Sequence, residues 1–176
     1  MPDILPTITE SKALEILRGF FLTLFLCPVE RGQQNRVPVP ADTNTTGAIY
    51  ITPIGLTQLD TPVATNDATT RTIERHYQFS VQVDCYGANA MERATVLTTV
   101  LRDTAAFEHF AASGYDAQSL YADDPKQIPI ILGDDQFTER WTFDAQLQLN
   151  QQIVLTTETA NTIDIGLINV DATYPA

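Results

Sequence analysis

Positive charge is scarce in this chain. Ten Lys and Arg stand against 22 Asp and Glu in 176 residues, a net charge of −12. A grip on a phosphate backbone needs clustered cations. Here the basic residues are scattered, and the closest pair is Arg71 and Arg75. Cysteine is equally sparse. Cys27 and Cys85 stand far apart with no CxxC spacing, which excludes a disulfide framework and leaves two buried thiols as the expectation. Long apolar runs are missing too. Ala13 to Leu26 is the greasiest segment, but Arg18 interrupts it and a bilayer span takes about 20 residues. Asp3, Glu10 and Glu15 make its approach acidic where a secretory signal is basic, so a cytoplasmic protein is expected. The dinucleotide and phosphate loops, HExxH, GxSxG and paired CxxC are all absent.

What is present is pattern. Tyr77, Phe79, Val81, Val83 and Cys85 alternate with Gln78, Ser80, Gln82 and Asp84. Period two predicts a strand with one buried and one wet face. After Tyr86-Gly87 the period changes. Ala90, Ala94, Leu97 and Leu101, widened by Met91 and Val100, predict an amphipathic helix. A second alternation, Trp141, Phe143, Ala145, Leu147 and Leu149 against Arg140, Thr142, Asp144, Gln146 and Gln148, predicts a strand over Thr138–Asn150. A strand of that length often projects past its sheet and pairs with another chain.

Near the N-terminus, Thr9 or Ser11 starts a helix that runs to about Leu26 and is stopped by Pro28. Leu14, Leu17, Phe21 and Leu24 form one face, and Ile16, Phe20 and Phe25 widen it. A helix so apolar needs cover from more than one layer, and a neighbouring subunit is one such cover. Ala48–Ile54 reads as a short strand, Thr104–Ser113 as a short helix ended by Gly114, and Gly32–Thr46 and Thr57–Asp67 as polar loops. Ile163–Tyr174 carries enough Ile, Leu and Val to pack. The expectation is one α+β domain over residues 1–176: a small mixed or antiparallel sheet with two or three helices mainly on one face.

Chemistry-bearing residues are few. His76 and His109 are the only side chains with ordinary titration near neutrality. A hydrolase built on either needs a nucleophile brought in by folding, and structural roles are the simpler reading. Asp123, Asp124, Asp134 and Asp135 carry oxygen ligands for a hard cation but lack EF-hand spacing, so solvated turns are expected. No catalytic residue, metal or cofactor is expected.

The order of elements supplies a further reading. A long helix ending in Leu-Cys-Pro is followed by QFSVQVDCYGANAMERATVLTTVLRD, then ERWTFDAQLQLNQQIVL, then IDIGLINVDATYP. This arrangement resembles the neck or tail-terminator proteins of long-tailed, myovirus-like phages over roughly Leu14–Pro175. The resemblance implies a non-enzymatic virion protein, assembled in the host cytoplasm. It implies a homohexameric ring on the tail tube that stops tube polymerisation and docks to the head connector. The implied partners are copies of itself, the tail tube protein, the sheath if the tail is contractile, and connector or collar proteins. Genomic DNA would pass through the lumen without specific binding. Within that reading the acidity repels DNA from the channel wall; otherwise it serves solubility. Asp60, Asp67, Asp123, Asp124, Asp134 and Asp135 are the candidate channel-facing or loop acids. Phe20, Phe21, Phe25, Trp141 and Phe143 are the candidate subunit contacts.

Overall fold

The computed structural model describes residues 4–33, 46–128, 130–132 and 136–157. In chain order the elements are α1 (Glu10–Leu24), β1 (Val29–Arg31), β2 (Ala48–Gln58), β3 (Val63–Asn66), β4 (Thr70–Tyr86), α2 (Ala90–Val100), α3 (Thr104–Ala112), β5 (Ala117–Ala122), β6 (Lys126–Gln127), β7 (Ile130–Leu132), β8 (Gln136–Thr138) and β9 (Arg140–Thr156). Seven strands form one mixed sheet in the order β1-β2-β4-β9-β5, with β3 added to β4 and β6 to β9; β7 and β8 make a separate hairpin. Among the described residues only the β1–β2 pair is parallel. The α+β class and the one-sided helical layer follow the expectation.

The long strands form the centre. All 17 residues of β4 pair antiparallel with β9, in a register that sets Val81 beside Ala145 and Val83 beside Phe143. The two apolar alternations therefore fall on one face. That face, with Ile49 and Ile51 of β2, is covered by the apolar sides of the three helices. Trp141 packs against the edge of this core.

α1 begins where Thr9 accepts a hydrogen bond from the Lys12 amide at 3.4 Å. It ends at Leu24, two residues short of the expected boundary. Phe25 is already extended (φ −135, ψ 145). Cys27 consequently lies beyond the helix, buried, while Leu26 is fully exposed. Arg18 leaves the apolar face and donates from Nε to the Val29 carbonyl at 2.6 Å. His109 on α3 reaches across to the Ile16 carbonyl at 3.2 Å and lies beside the Phe20 ring, so it ties α3 to α1.

Several expectations need correcting. β2 runs four residues past Ile54, through a bulge at Pro53/Gly55. The predicted loop Thr57–Asp67 contains the end of β2 and all of β3. β4 starts at Thr70, before the alternation becomes apolar. Met91 is exposed and does not widen the buried stripe of α2. β9 begins at Arg140 and extends six residues past Asn150. Most of the Gly32–Thr46 loop, the acids Asp134 and Asp135, and the Ile163–Tyr174 segment lie outside the described residues.

Candidate functional site

Two surfaces stand apart from the core. The first is the sheet face opposite the helices, where no helix packs among the described residues. Its polar side chains are not simply wet. Asp84 and Gln146 are buried, and Ser80 and Gln82 are half-buried. Cross-strand register explains this. Ser80 stands opposite Gln146 and Gln82 opposite Asp144, so each polar side chain meets another. Ser80 Oγ donates to Gln146 Oε1 at 2.6 Å, and Gln78 Nε2 donates to the same oxygen at 3.0 Å. Arg140 donates from Nε and Nη2 to Asp84 Oδ1 at 3.1 and 2.9 Å, and Gln82 Nε2 adds a bond to Asp84 at 3.0 Å. The guanidinium also lies over the Tyr86 ring, 5.7 Å from its centre.

Beside this pair is a depression of about 320 Å³ lined by Asp123, Asp124, Asp144, Lys126 and Arg140 among others. Asp144 is held above the usual carboxylate range, first by burial and then by the charge of Asp123.

The second surface is a ribbon. β2 pairs with the Tyr77–Tyr86 half of β4, and β5 pairs with β9 only as far as Leu149. Beyond those limits β4 and β9 continue together, with β3 beside β4, as a three-stranded extension. At about 3.4 Å per residue each 17-residue strand is roughly 55 Å long.

A charged clamp holds the ribbon's root. Asp60, in the β2–β3 loop, accepts from the His76 amide at 3.0 Å through Oδ1 and pairs with His76 Nδ1 through Oδ2. His76 Nε2 lies 3.6 Å from Glu74. Arg75 Nε donates to the Asp60 carbonyl at 3.1 Å. The Asp60 contact, aided by the charges of Asp60, Glu74 and Asp116, raises the His76 pKa; the His76 contact lowers that of Asp60. The sign of each effect defines a window. A raised His pKa contributes stability that is full below its ordinary value and lost as pH rises through the folded value. A lowered Asp pKa contributes stability that is full above its ordinary value and lost as pH falls through the folded one. Both contributions are complete between 3.8 and 6.5, the ordinary values of the two groups. The protection factor of the Leu59 amide (its slowing relative to the intrinsic, base-catalysed exchange rate at each pH), which donates to the His76 carbonyl at 3.0 Å, is expected to be greatest in that window and to fall above it. In His76→Gln the alkaline limb is expected to vanish; an unchanged pH profile in that variant would refute the clamp.

The structure separates the predicted site residues. Asp60 is engaged with His76 and is not a free loop acid. Asp67 is exposed in the β3–β4 turn, at the ribbon's tip. Asp123 and Asp124 are exposed at the other end of the sheet. Phe20, Phe21 and Phe143 are buried within the protomer's own core and offer no surface to a neighbour. Phe25 and Trp141 remain half-buried. Each histidine's contacts are structural, to Asp60 and Glu74 for His76 and to the Ile16 carbonyl for His109. Arg140 and Gln146, the centres of the polar network, escaped sequence reasoning. Their alternation was visible, but their partners were not.

A family model described as phage neck terminator protein matches residues 12–173. The chain belongs to this phage neck terminator family. It is thus a structural protein of the phage neck, and membership implies a role without catalysis. Comparison with curated proteins gives no match. For a neck terminator the relevant geometry is that of surfaces able to meet other proteins, and the sheet face opposite the helices and the ribbon are the two that the protomer's helices leave uncovered among the described residues.

Proposed function

We propose that this neck terminator, acting as one domain, closes into a hexameric ring at the head-proximal end of the tail tube. There it ends tube polymerisation and joins the tail to the head connector. Family membership over residues 12–173 carries this reading. Ring closure needs a head-to-tail interface made of two different patches, and an elongated ribbon on one side of a compact body supports such a contact. Half-buried Phe25 and Trp141 are proposed as further contact residues. Each copy brings a charge of −12. Exposed Asp67, Asp123 and Asp124 are proposed to face the channel, where their charge lets DNA pass without adsorbing. The partners in this reading are the tail tube protein, the sheath of a contractile tail, and the connector.

Purified protein added to polymerising tube subunits is expected to arrest growth, shortening the tubes in proportion to dose as seen by electron microscopy. Tube lengths that do not respond would refute the reading. Native mass spectrometry is expected to show six copies; twelve would point to a connector instead.

A further inference from the structure

The ribbon has two strand edges without a strand partner among the described residues. On one side, β3 pairs with β4 alone, and β2 past Thr52 has no outer neighbour. On the other side, Thr7 covers β9 as far as Gln152, with its amide on the Gln152 carbonyl at 2.9 Å, and beyond that β9 has no second neighbour. Antiparallel ladders direct alternate residues to alternate sides. The Asn150 amide donates outward to the Asp116 carbonyl, which places the Val154 and Thr156 amides on the same outer edge. The His76 carbonyl accepts from Leu59, so even positions of β4 serve the β3 side. Val63 and Thr65, opposite Glu74 and Thr72, then bond to β4, while Ala64 and Asn66 present their backbone groups outward.

Native edges are usually guarded by charge, most often Lys, by proline, by a bulge or by burial. Pro53 and the bulge beside it guard β2, but β3 itself and β9 past Asn150 carry neither charge nor proline. Apart from Asp60, which is engaged with His76, residues 48–66 carry no charge, and residues 145–157 carry none at all. Ile54, Leu56, Leu59, Val63 and Val154 are each about half exposed or more along them. In a chain of net charge −12, two copies repel wherever their carboxylates meet, and charge-free edges are where they approach at least cost.

We propose that the occupant of each edge is a second copy of this chain: the β3 edge of one protomer adds to the distal β9 edge of the next. The proposal rests on the ring reading and names its interface. The two edges differ, so the contact is head-to-tail and repeats. β3 and β9 are both antiparallel to β4. They therefore run in the same direction, and ribbons repeated side by side by a rotation join through parallel pairing.

The test uses the full chain. Ala64→Pro and Val154→Pro each remove one outward amide while leaving the β4 ladder intact, a change that edge strands tolerate. Val154→Lys adds a guard without altering the backbone. Circular dichroism and thermal melting at low concentration check that each variant folds. Each proline variant is expected to raise the concentration of half-assembly roughly tenfold, as loss of about one hydrogen bond per junction implies, and Val154→Lys is expected to raise it by placing an unpaired charge in the junction. In the wild type, hydrogen exchange across residues 61–67 and 151–157 is expected to slow on assembly. If the wild type assembles and folded variants assemble equally well, the edge contact is wrong while the ring stands. If the outward amides of Ala64, Asn66, Val154 and Thr156 are already protected in the isolated protomer, an internal segment of the chain covers the edges, and the proposal fails. If the wild type never assembles, the ring and its interface fall together.

Discussion

Phe21→Ala is expected to lower the free energy of unfolding by about 4 kcal/mol, a large part of the about 5–15 kcal/mol typical of a domain. Phe21 is wholly buried in the core, on a helix that packs against α3, β1 and β2. Removing the ring forfeits its transfer free energy and leaves a cavity that three fixed elements cannot close. Denaturant titration of the isolated protomer measures the loss as a lower midpoint at unchanged slope. The comparison that matters is concentration. A core residue costs the same at every protein concentration, whereas a subunit contact would show its effect only where the protein assembles. Leu22→Ala, one position further round the same helix and exposed, is expected to change stability by less than about 0.5 kcal/mol. Equal effects at the two positions would show that α1 does not pack as described.

The second large effect belongs to Arg140. Its side chain is one-fifth exposed, and that of Asp84 is only 8 % exposed. Arg140→Ala leaves the Asp84 carboxylate on the sheet with Gln82 as its remaining side-chain donor among the described residues. The expected loss is about 3 kcal/mol, the lower end for a broken buried pair because the guanidinium is partly solvated. Asp84→Asn with Arg140→Ala is expected to cost less than the sum of the single changes, by about 1 kcal/mol or more, since the stranded charge is then gone. Strict additivity in that double-mutant cycle would mean that the two side chains are energetically independent despite their contact.

Both predictions concern features whose legibility differs. The faces of α1, β4 and β9 were readable because burial leaves a periodic imprint: every second residue in a strand, every third or fourth in a helix. The start of α1 at Thr9 and the turn at Gly87 (φ +80) were readable because only some side chains suit those backbone positions. Outside the apolar stretches the pattern was less useful. Residues 63–74 lack a clean apolar alternation, so β3 read as loop and the first residues of β4 were left out of the strand; they are strands because β9 and β4 supply the missing hydrogen bonds. Phe20 and Phe21 read as surplus apolar surface because the helix alone does not reveal that α3 covers its second side.

From sequence by itself came the α+β class, the negative charge and the kinship with neck terminators. These depend on composition, local period and order along the chain, which no folding step alters. Tertiary structure alone decided that Asp60 answers to His76 and Asp84 to Arg140. It decided that three candidate contact residues lie inside the core, and that two charge-free strand edges have no strand partner among the described residues. Those outcomes turn on register. A shift of one residue between β4 and β9 would exchange their buried and exposed faces, and that alignment is set by the packing of residues far apart in the chain.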